Sequence, residues 1–224
     1  MNQEQLREML GEPAELVQKK IADRLNPLTR QFVERSPFVV VATGRPDVAG
    51  SVDGEAVDAR PEDGRRRRPG GLDVSPRGDA PGFVRILDER TLLLPDRPGN
   101  KLADSLTNLL EDDRIALLFL IPGVNDTFRV NGRARIVDDP ELLAASEVEG
   151  KVPRLGILVE VEEAYTQCPK AFLRSDLWNP ERHVDRSELP SSGEILRSVA
   201  DPELDVEDYE DARADRYRRR EGFY

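Results

Sequence analysis

Apolar and polar positions alternate through residues 127–137, where Phe128, Val130, Ala134 and Ile136 stand opposite Thr127, Arg129, Asn131, Arg133 and Arg135. A period of two is the pattern of a half-buried strand. Leu155, Ile157, Val159 and Val161 repeat it and predict the last strand. Residues 38–42 (FVVVA) and 115–121 are instead apolar at every position, which predicts strands covered on both faces. Shorter strand signals at 72–75, 83–87 and 91–94 are separated by SPRGDAPG and by Asp88-Glu89-Arg90, as in an antiparallel meander.

Helical spacing is confined to a few places. Leu16, Val17, Ile21 and Leu25 make one stripe over residues 13–25, with Pro13 tolerated in the first turn, and a second short helix is expected after Asn26-Pro27. Residues 100–112 carry Leu102, Leu106, Leu109 and Leu110, with Gly99 and Asn100 as a cap. Short helices are also predicted at 169–178 and 193–200. Residues 45–71 lose all periodicity in Gly, Pro, Asp and Arg and read as a disordered-looking loop without a core of its own.

Many short strands, few helices and the need to remove sheet edges favour a mainly β fold, a β-barrel with flanking helices. One domain suffices for 224 residues. It divides into an N-terminal helical segment (1–37), the barrel (38–180, with the insertion at 45–71) and a charged extension (181–224) expected to be exposed and partly mobile.

Composition narrows the chemistry. Cys168 and His183 are the sole thiol and imidazole, so no disulfide framework and no zinc or iron site of those ligands is expected. The start MNQEQLREMLGEP lacks a signal-peptide pattern, and no apolar stretch approaches the roughly 20 residues of a membrane span, which predicts a soluble cytoplasmic protein with no membrane partner. A formal charge of −11 disfavours nucleic acid, and the run Arg65, Arg66, Arg67 and Arg68, with no interleaved aromatics, reads as a solvated loop. Any anionic ligand must meet a local basic pocket.

Two segments offer one. In LLLPDRPGNKLADSLTNLL (92–110) a strand runs through a Pro/Gly turn into a helix start carrying Asn100 and Lys101, with Arg97 nearby and Ser105 one turn on. Free N–H groups and added positive charge there suit a phosphate; an ordinary capped helix with solvated basic residues is the plainer alternative. In DVSPRG (73–78) Asp73, Ser75 and Arg77 share one strand face, and Arg77 can offer phosphate a bidentate fork, whereas the plainer reading is an exposed edge strand. Cys168 reads as structural and His183 as a surface residue, since neither has a catalytic constellation around it.

The succession FVVVATG, DVSPRG, LLLPDRPGNKLADSLTNLLEDDRIALLFLIPG, FRVNGRARI and CPKAFLRSDLW resembles the predicted flavin-nucleotide-binding proteins related to pyridoxamine 5′-phosphate oxidase, over most of residues 28–180. The resemblance implies a six-stranded antiparallel split barrel with FMN between the two subunits of a homodimer. It puts Arg77, Asn100 and Lys101 at the phosphate with Ser105 in support, and Ser75, Pro95 and Asp96 along the ribityl chain and ring. Thr127 and Arg129 would approach from the interface side, with Arg174 and Trp178 contributed by the partner chain. Trp178 would stack on flavin or close an apolar rim. The insertion at 45–71 departs from the family's short hairpin, and the pyridoxal substrate signature is not matched. The implied activity is an FMN-dependent oxidoreductase of unknown substrate, with NAD(P)H or another small molecule as electron donor or acceptor. The alternative is a non-catalytic protein that binds, stores or senses flavin, deazaflavin or a haem-like ligand.

Overall fold

A computed structural model describes residues 1–45 and 71–224. In chain order the elements are helices α1 (Gln3–Leu10), α2 (Glu15–Lys19) and α3 (Arg30–Arg35), then strands β1 (Phe38–Gly44), β2 (Leu72–Gly78), β3 (Arg85–Ile86) and β4 (Thr91–Pro95). Helix α4 (Asp104–Leu109), strands β5 (Arg114–Leu120) and β6 (Thr127–Val137), helix α5 (Pro140–Ala144) and strand β7 (Gly156–Gln167) follow. Helices α6 (Lys170–Ser175), α7 (Ser192–Val199) and α8 (Val206–Arg218) complete the chain.

The strands form one antiparallel sheet in the order β2-β1-β5-β6-β7-β4-β3. One apolar cluster draws on Val39 and Val41 of β1, Leu117 and Phe119 of β5, and Leu92 and Leu94 of β4. A sheet whose distant strands share a single core is rolled around it, and because no ladder joins β2 to β3 the barrel is split. Seven strands stand where six were expected; the additional one, β3, is two residues long.

β4 is covered on both sides. Leu92 and Leu94 enter the main core while Leu93 packs with Val137 and Leu143 in a second, smaller cluster. Phe128 stacks on Phe32 of α3 at 5.7 Å between ring centroids, which joins the N-terminal helix to the barrel. Between β6 and β7 the register shifts at Asn131/Gly132, and a side chain at Gly132 would overlap the Glu160 carbonyl oxygen. Glycine is therefore required at this bulge.

Several expectations need correction. The stripe over 13–25 yields only the five-residue α2, and Leu16, Val17 and Ile21 are exposed; Leu25 alone is buried. Ala22 instead makes an isolated antiparallel bridge to Ala164 of β7, which takes that stretch out of the helix. The fully apolar runs are covered on one face: β1 and β5 alternate between buried and half-exposed residues. β2 continues through Pro76 to Gly78, as an edge strand can, since the missing N–H need not serve a second neighbour. α4 starts at Asp104 after Ala103 rather than at a cap on Asn100. The C-terminal extension is mostly exposed and carries the expected short helix as α7, and it adds a second, α8: Ser191 and Glu194 form a capping box on α7, Asp205 caps α8, and the Glu210 carboxylate accepts from the Gly193 N–H at 2.6 Å across the helix pair. Of the insertion, only its ends are described, and they meet, with the Arg45 N–H donating to the Gly71 carbonyl at 2.7 Å. Its interior lies outside the described residues.

Candidate functional site

β2, the turn after β4 and α4 enclose a cavity of about 560 Å³. Ser75, Arg77, Pro95, Asp96, Asn100, Lys101 and Ser105 all line it. Residues 73–78 of β2 all border it, and alternation sets their exposure: Asp73, Ser75 and Arg77 are half-buried, and Leu72, Val74, Pro76 and Gly78 are exposed. Arg77 Nη1 donates to Ser75 Oγ and to the Pro76 carbonyl, so its guanidinium is held along its own strand.

The opposite wall is irregular backbone. Asn100 Oδ1 accepts from the Leu102 N–H at 3.0 Å, closing a turn, and Lys101 and Ala103 take the left-handed conformation at φ 63° and 56°. Such conformations cost non-glycine residues of the order of 1 kcal/mol each and persist where surrounding structure imposes them. The turn displays the exposed Lys101 side chain beside the cavity before the chain enters α4. Ser105 is buried, and its hydroxyl donates to Asp73 Oδ2 at 3.4 Å. Burial pushes the Asp96 carboxyl above its ordinary pKa, against the opposing pull of Arg77 and Arg97.

Arg97 departs from expectation. Read from sequence as free positive charge for a phosphate, it instead donates from Nε to Asp79 Oδ2 at 2.7 Å. Asp79 is one of the functional neighbours missed; it directly follows the SPRG turn, and only the fold reveals its partner. Phe83 and Asp104 also line the cavity. The remaining expected residues do not line it within one chain. Thr127 is buried at the start of β6, and Arg129 Nη1 donates to the Tyr165 hydroxyl at 3.0 Å. Trp178 stacks on Phe172 at 5.8 Å, with its Nε1 donating to the Val124 carbonyl at 3.0 Å, and Arg174 is exposed on α6.

Outside the barrel the apolar character of one face is unusual. Pro76, Val40 and Leu118 pair across β2, β1 and β5, as do Val74, Ala42 and Ala116 in the next row, all pointing away from the core. Leu72 and Val74 are 83% and 64% exposed. The outward positions of β6, Arg129, Asn131, Arg133 and Arg135, show by contrast what a solvated face carries. Among the described residues no helix is long and apolar enough to cross a membrane, and no group of His, Cys, Asp and Glu is placed to hold a metal ion.

No curated protein matches this sequence. Among solved structures the chain is similar to HupZ of Group A Streptococcus, at 14% identity over 63% of this chain and 93% of that chain (TM-score 0.43). It is similar to an FMN-binding protein from Syntrophomonas wolfei at 11% identity over 63% and 89% (TM-score 0.38). It is also similar to the FAD binding protein from Mycobacterium smegmatis at 15% identity over 65% and 97% (TM-score 0.36). The sequence family described as pyridoxamine 5′-phosphate oxidase matches residues 25–168, well over half of the chain, and the protein belongs to that family.

Proposed function

We propose that this chain binds FMN between the subunits of a homodimer and acts as an FMN-dependent oxidoreductase. The observation that carries the reading is the convergence of Arg77 from β2 and Lys101 from the turn before α4 on one 560 Å³ cavity, a volume within the ordinary range for ligand sites. Two separate elements supply positive charge there in a chain of net charge −11. Charge-assisted hydrogen bonds from a guanidinium and an ammonium suit a phosphate, and Arg77 is already fixed by Ser75 and Pro76. Ser75, Pro95 and Asp96 would border the ribityl chain and ring, and Asn100, which closes the turn bearing Lys101, would support the phosphate.

Bound flavin supplies two-electron redox chemistry that the side chains do not. The protein's residues bind the group, orient it and shield one side from water. The outer face of β2, β1 and β5 is the surface on which a second copy packs, since a contiguous apolar patch on three strands is unstable in water. In that dimer Thr127 and Arg129 lie toward the interface, and Arg174 and Trp178 serve the partner's cavity.

An absorption spectrum of the purified protein, with mass identification of the released ligand and light scattering at micromolar concentration, tests the proposal. Flavin bands, a mass of FMN and a dimer are expected, and bleaching by NAD(P)H supports the enzymatic reading. A colourless protein that takes up no added FMN contradicts it, and flavin bands without turnover with any donor leave a storage or sensing protein.

A further inference from the structure

The charged extension lies outside the family match, yet it returns to the segments that line the cavity. After α8 the chain brings Tyr224 to Asp79, where its hydroxyl donates to Oδ1 at 2.7 Å. The second Asp79 oxygen accepts from Arg97 Nε at 2.7 Å, and the Arg97 guanidinium lies over the Tyr224 ring, 5.4 Å from its centroid. The ion pair is deep, with side chains 14% and 3% exposed. Arg97 Nη1 also donates to the Ser146 carbonyl at 2.9 Å, and Lys151 Nζ to the Tyr224 carbonyl at 2.8 Å.

The placement of this network matters more than its strength. Asp79 lies two residues beyond Arg77, and Arg97 four residues before Lys101, so their ion pair ties the strand bearing one cation to the turn bearing the other. Burial alone would raise the Asp79 pKa, but donors from Tyr224, the Ala80 N–H and Arg97 together hold it below the ordinary value. Behind the turn lies a second cavity of about 780 Å³, bordered by Asp96, Arg97 and Pro98 on one side and by Lys151 and Tyr224 on another. Tyr224, with the Ser146 carbonyl, thus braces Arg97 through groups that do not line the first cavity.

We infer that Tyr224 is a positioning residue for the phosphate grip, so that the extension sets cofactor affinity without touching the cofactor. The inference rests on the FMN reading above. Tyr224→Phe removes the hydroxyl and keeps the ring; Tyr224→Ala removes both. FMN and riboflavin are titrated into the unaltered protein, both variants and Arg77→Ala, with thermal melts alongside. Tyr224→Phe is expected to raise the Kd for FMN about three- to tenfold, less than the loss of a direct charge-assisted contact because the hydroxyl acts through Asp79 and Arg97, and Tyr224→Ala further. The Kd for riboflavin, which has no phosphate to grip, stays unchanged. Unaltered FMN affinity in both Tyr224 variants while Arg77→Ala loses it overturns the inference and leaves the FMN reading intact. Equal losses for both flavins mark a merely structural role and also overturn it. If Arg77→Ala itself has no effect on FMN, the phosphate reading fails and the inference falls with it.

Discussion

Asn108 Nδ2 donates to Thr43 Oγ1 at 2.9 Å, and both side chains are buried. The bond fastens α4 to β1 and so fixes the segment that ends the turn bearing Lys101. Breaking it leaves one buried polar group without its partner. Asn108→Ala should therefore destabilise the protein by about 2–3 kcal/mol and Thr43→Val by about 1–2 kcal/mol, with less than additive loss in the double variant. Urea unfolding of all three checks this; strict additivity would show that the two groups do not depend on each other.

Gly132 occupies the β6–β7 bulge with no room for a side chain against Glu160. Gly132→Ala should cost about 1–3 kcal/mol or more, because the obstacle is backbone rather than a movable side chain. An unaltered unfolding midpoint would mean that the bulge relaxes freely.

Asp96 gives a pH prediction with a definite sign. Its folded pKa is raised by burial, so ionising it opposes folding: the stability it contributes is full below the unfolded value of about 3.9 and is lost as pH rises through the folded pKa. Asp96→Asn should make the ligand-free protein more stable at pH 7, with the difference vanishing near pH 3. Melting temperatures across that range check it, and a variant less stable at neutral pH contradicts it.

The Arg45–Gly71 hydrogen bond continues the β1–β2 pairing, in which Gly44 is opposite Leu72. Those two ends are close enough for a two-residue turn. Replacing residues 46–70 by Asn-Gly should leave the fold and the cooperative unfolding transition intact. Persistent failure to fold over several turn sequences would show that the segment contributes to the core.

The barrel was largely legible because strand burial is a local, periodic signal. Phe128, Val130 and Ala134 alternate with arginines and asparagine, and the structure buries the first set. The apolar runs of β1 and β5 misled in one respect: apolar residues on both faces say that both are meant to be covered, but one chain covers only the inner face. Segments that line the cavity were also legible, since DVSPRG and PDRPGNK place unusual polar groups beside Pro and Gly. The start of α4 was not, because the Asn100 side chain closes its own turn and the helix waits for Ala103. The partnership of Arg97 with Asp79 and Tyr224 spans 18 and 127 residues of chain and leaves no periodic trace. The capping box of Asn2 and Gln5 that starts α1 is a local signal carried by two residues three apart.

The central claim is that Arg77 and Lys101 grip a flavin phosphate, and titration of FMN and riboflavin against Arg77→Ala and Lys101→Ala tests it most directly. Each substitution should weaken FMN binding by about 1.5–3 kcal/mol, roughly ten- to over a hundredfold, and leave the weaker binding of riboflavin nearly unaltered. Unchanged FMN affinity in both variants, with melts showing intact folds, would contradict the account.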